Sequence, residues 1–170
     1  MTLTADRDVA FLDAVRRIAD EIAAPHADVV DREARFPAET LAALREQRAL
    51  SAFVPSELGG DGVSFDAIAA ACFELGRRCG ASAMVFAMHQ IQVATIVRHA
   101  EGAPFFEDHL RDLAAGQRLI ASVTSEVGTG GDMGRSVAAV TPAGDGAVKS
   151  GDFQLAEPSE AEVERRRTLT

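Results

Sequence analysis

The residues with the most chemical potential lie in one run, Thr124-Ser125-Glu126-Val127-Gly128-Thr129-Gly130-Gly131-Asp132. It follows an apolar stretch, Leu119-Ile120-Ala121-Ser122-Val123, which reads as a buried strand. Glycines placed after a strand let backbone N–H groups close on an anionic ligand such as a phosphate. A dinucleotide fingerprint needs glycines at the first, third and sixth places and then a helix. Counting from Gly128, the sixth place is Met133 and a strand pattern follows, so that fingerprint is not met. Taken alone, such a run is more often a plain tight turn.

Other reactive side chains are scattered. His89 and His99 stand without a second ligand at helical metal spacing, which argues against a zinc site, and His109 is expected to face solvent. Serine, histidine and aspartate all occur, but no Gly-x-Ser-x-Gly elbow does. The neighbouring carboxylates Asp20 and Glu21 belong to a helix surface. Cys72 and Cys79, read as parts of one helix, would lie on one face about 10 Å apart, too far for a disulfide.

The elements that must position these residues are mostly helices. Val9, Leu12, Val15, Ile18, Ile22 and Val29 recur at helical spacing, with Pro25 set to kink or divide the helix. A short helix is expected from Ala38 to Leu50. A strand-like piece and a glycine loop follow over Ser51 to Val63. Ser64 suits the cap of a helix from Phe65 to Cys79, with Gly80 ending it. A central helix from Ser82 to His99 is apolar on most faces, and a last helix runs from Phe105 to Ala115 with Gly116 as its terminator. Beyond it the pattern turns to strands, with Ser136–Thr141 and Ala147–Phe153 flanking the turn signal Pro142-Ala143-Gly144-Asp145-Gly146. The expected organisation is a helical domain over 1–116, the opening of a β-domain over 117–155 and a charged tail over 156–170.

Composition bounds the function. Apolar residues make up 47% of the 170-residue chain, enough for a real core. The net charge of −9 and the lack of any basic stripe argue against a nucleic-acid partner. The most apolar run, Ala83 to Val97, is shorter than the ~20 residues a membrane span needs. No signal peptide is visible, and a cytoplasmic location is expected.

Two loops carry a resemblance. Thr124 to Asp132 is close to the pattern hydrophobic-Thr-Glu-Pro-Gly-Ala-Gly-Ser-Asp, with Glu126, Gly128, Gly130 and Asp132 matching and Ser125 keeping the hydroxyl. Val54-Pro55-Ser56-Glu57-Leu58-Gly59-Gly60-Asp61-Gly62 is similar to a Pro-Glu-x-x-Gly-Gly-x-Gly loop placed before a helix. In order and spacing the two resemble the N-terminal half of acyl-CoA dehydrogenases. Val127 replaces the usual proline and Gly131 the usual serine, so the turn is less stiff and one phosphate-directed hydroxyl is lost.

The resemblance implies a mainly α fold: an up-and-down helical bundle followed by the first strands of a β-barrel-like middle domain, incomplete. It implies FAD as cofactor, with Ser122, Thr124, Ser125, Gly130 and Gly131 at the cofactor-binding positions. It implies an acyl-CoA thioester as substrate, with Phe86, Gln90 and Val93 on the helix that lines the acyl pocket. No catalytic residue is carried over, because the family's proton-abstracting glutamate belongs to a C-terminal domain. The chain is therefore expected to be inactive alone, and to form a homo-oligomer or pair with a complementary C-terminal chain. Two other readings stand beside this one: a non-catalytic helical interaction module, and a flavin-dependent monooxygenase of the same fold.

Overall fold

A computed structural model describes the backbone of residues 2–121, 140–142 and 148–150. Contacts divide the chain into two units, Met1–Ser122 and Val123–Thr170. Residues 117–121, beyond the boundary expected near Gly116, belong with the helices: Leu119 and Ile120 pack against the helical cores.

The first long helix is interrupted where Pro25 predicts. Helix α1 (Thr2–Ile18) passes into a π-helical turn, Ala19–Ala23, and then into α2 (Ala24–Arg32). Proline has no N–H and its ring crowds the carbonyl four residues back, so the backbone widens ahead of it. Ala24 N–H accordingly reaches back five residues to Ala19 O. The extra residue in the wide turn shifts the inward face beyond it. Val30, not Val29, is fully buried, and Val9 at the other end is exposed rather than inward.

Helix α3 (Ala38–Glu46) stops before the expected Leu50. Arg48 turns left-handed at φ 56°, and a 3₁₀ turn, Ala49–Ser51, follows. The strand-like reading of the next stretch gives way to a second 3₁₀ turn, Ser56–Leu58. The apolar residues there are buried by turns, not by a sheet, because the loop closes on itself. Gly62 N–H bonds Val54 O at 2.9 Å, and Val63 N–H bonds Ala52 O at 2.8 Å. Gly60 is obligatory in this loop: a Cβ there would lie 2.6 Å from Ser51 O and closer still to Val54 O.

Helix α4 (Phe65–Gly76) starts at Ser64 as expected, whose Oγ accepts Ala67 N–H at 3.2 Å. Asp8 of α1 caps the same corner by accepting Ser64 N–H at 2.9 Å. Gly80 does not end α4. It opens α5 (Gly80–Ala100), and Cys79, N-terminal to it, lies outside α4, so the two free thiols do not share a helix. Helix α5 has 21 residues and is long and apolar enough to cross a membrane by length and composition alone, longer than its sequence pattern predicts. Here it is the central helix of the bundle, packed against α4 and against α6 (Pro104–Gly116). At the end of α6 the left-handed residue is Gln117 (φ 45°), not Gly116.

In the second unit, β1 (Val140–Pro142) pairs antiparallel with β2 (Val148–Ser150), Thr141 facing Lys149. These are the described parts of the expected hairpin. The remainder of the expected β-domain and the expected charged tail over 156–170 lie outside the described residues.

Candidate functional site

The inward face of α5 forms the geometric centre of the helical unit. Phe86 and Val93 are fully buried and Gln90 is 3% exposed. These three residues share a face but enter different surroundings. Phe86 joins the core of Val15, Leu44, Leu50 and Leu75, whereas Val93 joins that of Val54, Leu58, Leu110 and Leu113. Between them, Gln90 Nε2 donates to Ala49 O at 2.9 Å, and its Oε1 is buried without a partner among the described residues.

His89 shares this face and is fully buried. Its Nε2 lies 2.8 Å from Leu50 O, and its Nδ1 accepts the N–H of Ile120 at 3.0 Å. Burial pushes the imidazole below its usual pKa, against a smaller opposing effect of the Leu50 carbonyl. Two turns earlier in α5, buried Ser82 donates to Thr40 Oγ1 at 3.1 Å. From α6, Gln117 Nε2 donates to Ser51 Oγ at 2.7 Å and Ala114 O at 2.9 Å. The Ala49–Ser51 turn is thus gripped from α5 and from the end of α6. Nothing in the sequence marks His89 for this, since its partners are backbone groups that every residue type offers.

On the α4–α5 side lies an apolar cavity of about 270 Å³. Phe53, Phe65, Ile68 and Cys72 line it from one side, and Ala87, Gln90, Ile91 and Ala94 from α5. Phe53 and Phe65 meet edge-to-face at 6.4 Å. Burial raises the Cys72 thiol above its usual pKa, so it is a wall rather than a nucleophile. Of the three pocket residues implied by resemblance, Gln90 lines this cavity, while Phe86 and Val93 do not. The signal in the sequence for this side is a second apolar stripe on α5, of which Ala87, Ile91 and Ala94 line the cavity.

The five positions assigned to the cofactor, Ser122, Thr124, Ser125, Gly130 and Gly131, lie outside the described residues. What the described residues supply is the approach to them, Arg118 to Ala121, held at Ile120 by His89. Among the described residues no group of three potential metal ligands occurs. His99 and His109 are exposed.

Comparison with known proteins gives this arrangement its lineage. A 3-sulfinopropanoyl-CoA desulfinase of Paraburkholderia xenovorans is 41% identical over 41% of this chain and 18% of its own length. A probable acyl-CoA dehydrogenase of Bacillus subtilis is 28% identical over 81% of this chain and 36% of its own. An acryloyl-CoA reductase (NADH) of Anaerotignum propionicum is 31% identical over 70% of this chain and 30% of its own. The chain therefore spans little more than a third of these relatives at most. No solved structure matches. The family profile described as "Acyl-CoA dehydrogenase, N-terminal domain" matches residues 5–117, and the chain belongs to the acyl-CoA dehydrogenase family, with α1 to α6 as its N-terminal domain.

Proposed function

We propose that this chain provides the helical wall and the cofactor approach of an FAD-dependent oxidoreductase that removes α,β-hydrogens from an acyl-CoA thioester. The observation that carries the reading is a conjunction: family membership over residues 5–117, and a hydroxyl- and glycine-rich run starting five residues later at Ser122. In this reading Ser122, Thr124, Ser125, Gly130 and Gly131 hold the flavin, which supplies the hydride-accepting chemistry. Phe86, Gln90 and Val93 belong to the acyl-chain side. Gln90 is the one of the three beside an open apolar cavity, and hydrocarbon transfers favourably into such surroundings.

The helical unit itself is not the proton-abstracting part. A general base needs a free lone pair within reach of the proton it takes. His89, the fully buried imidazole here, has both ring nitrogens committed to backbone partners. In this reading the unit orients and excludes water, and the base is the glutamate that the resemblance places in a C-terminal domain.

The test is a visible spectrum of the purified chain after loading with FAD and desalting, repeated with a short and a long acyl-CoA. Retained flavin whose band shifts with acyl-CoA is expected. A cooperatively melting chain that retains no flavin sinks the proposal.

Exposed apolar side chains favour a second reading. Phe73 at 65%, Met84 at 63% and Ile91 at 54% stand open on α4 and α5. A helical module completed by a separate C-terminal chain would cover them. In that case the chain alone would self-associate on sizing and become discrete when the completing chain is co-expressed. A sharp monomer without it counts against this reading.

A further inference from the structure

His89 joins three segments that are distant in sequence. It stands mid-way along α5, reaches Leu50 across 39 residues and meets Ile120 across 31. Its partners dictate its tautomer. The Ile120 N–H can only donate, so Nδ1 must present its lone pair. The Leu50 carbonyl can only accept, so Nε2 must carry the hydrogen. The other neutral tautomer would lose both bonds, and the doubly protonated ring would lose the one to Ile120. The depressed pKa of the buried ring agrees with a neutral imidazole.

The last bond tying this segment back to α6 is that of Arg118 N–H to Leu113 O at 3.2 Å; among the described residues, Ile120 beyond it has only the bond to His89. Residues 118–121 lie in no helix or strand, so no ladder or helical carbonyl receives the Ile120 N–H. Leu119 leans on one core cluster and Ile120 on the other, so the segment lies along their seam. Apolar contacts of that kind are non-directional and permit sliding. A hydrogen bond to a ring fixed by its second bond does not permit it.

We propose that His89 is a positioning residue: it clamps the chain leaving α6 at Ile120 to the Leu50 turn, and so fixes where the chain departs from the helical bundle. The clamped residue is two positions before Ser122. On the flavin reading above, on which this consequence alone rests, the clamp sets the approach to the cofactor residues.

Two substitutions separate positioning from general support of the core. In His89→Asn the amide oxygen stands where Nδ1 stood, so the Ile120 bond is kept and the Leu50 bond lost. In His89→Gln the amide reaches the Nε2 place, so the Leu50 bond is kept and the Ile120 bond lost. Both variants lose one buried bond and some volume, and both are expected to melt earlier by similar amounts. The readout is the rate of tryptic cleavage after exposed Arg118 in the full chain under native conditions. Cleavage after Arg98, within α5, reports global opening.

The Gln variant is expected to be cut after Arg118 about tenfold faster than wild type, the factor that loss of one buried hydrogen bond corresponds to. The Asn variant should stay near wild type, and exchange of the Ile120 amide should follow the same order. Equal cleavage after Arg118 in the two variants, once corrected by Arg98, overturns the clamp. Retained flavin is scored separately, with less expected in the Gln variant than in the Asn variant. If wild type itself retains none, the flavin reading fails while the clamp is still decided by Arg118. Equal flavin retention in both variants overturns the extension to the cofactor site.

Discussion

The two faces of α5 reverse the usual rule for an amphipathic helix. Ser82, His89 and Gln90 point inward with Phe86 and Val93, whereas Met84 and Ile91 stand outward and exposed. The reason lies in the partner surface. In the Ala49–Ser51 turn, Leu50 O receives no backbone N–H among the described residues and Ala49 O only a long one, from Ala52 at 3.4 Å, and buried carbonyls need donors. His89 and Gln90 supply them, with Gln117 bonding the hydroxyl of Ser51 from α6. The outer face meets no such demand, and along Met84, Ala87, Ile91 and Ala94 it presents apolar area, with Thr95, Arg98 and His99 exposed towards its C-terminal end. The inner face therefore specifies direction and the outer face only attraction, so the two should respond to substitution very differently.

The largest effects belong to the inner face and the loop that receives it. Phe86→Ala should cost about 4 kcal/mol, since it deletes a fully buried ring and leaves a void among tightly packed neighbours. Denaturant unfolding with an unchanged slope and a lowered midpoint would register it. A cost of about 0.5 kcal/mol or less, the range of ordinary surface changes, would mean the inner face is loosely packed and no different from the outer one. Gly60→Ala comes next, at about 3 kcal/mol, because the new methyl would meet the backbone oxygens of Ser51 and Val54, which can yield only by opening the turn. A wild-type melting curve for this variant would show that the turn is soft, and the directional bonds onto it would then fix nothing.

How far the sequence shows these faces follows from what each interaction is made of. Periodicity located every long helix, because apolar spacing and the Ser64 cap are properties of side chains. It mistook Gly80 for a stop, since a glycine at a helix boundary reads the same on either side, and here the next helix begins on it. It missed the left-handed turn at Gln117, where a side chain bonded to Ser51 holds a backbone shape usually left to glycine. It treated His89 as an isolated histidine. Its partners are the carbonyl of Leu50 and the N–H of Ile120, groups that carry no side-chain signature. The positions that the resemblance assigns to a cofactor are legible only as a motif and lie outside the described residues.

A smaller and more selective effect comes from pH. His89 has its folded pKa lowered from 6.5 by burial. The unfolded chain then binds a proton that the folded chain refuses. Stability is accordingly complete above pH 6.5 and falls as pH drops through that value toward the folded pKa. The inner face should feel this directly, because a proton on Nδ1 removes the acceptor of the Ile120 bond. Wild type should lose stability between neutral pH and pH 5.5 with a steeper slope than His89→Asn, which has no imidazole to titrate. Parallel slopes would show that the ring is not the group responsible.

The smallest expected effect is the outer face's own. Ile91 is 54% exposed and Met84 63%, so each has little buried area to lose. Ile91→Gln and Met84→Gln should each change stability by no more than about 0.5 kcal/mol, as exposed substitutions usually do. Glutamine is also nearly as good a helix former as methionine and better than isoleucine. What should change is association, because apolar stripes left open on a surface attract one another. The double variant should elute later than wild type on sizing at high concentration, with an unaltered melting midpoint. If the midpoint instead falls by as much as for an inner-face substitution, Met84 and Ile91 are part of the core in solution. The two faces of α5 would then not be opposites at all, and the inward polar residues would owe their place to something other than the Ala49–Ser51 turn.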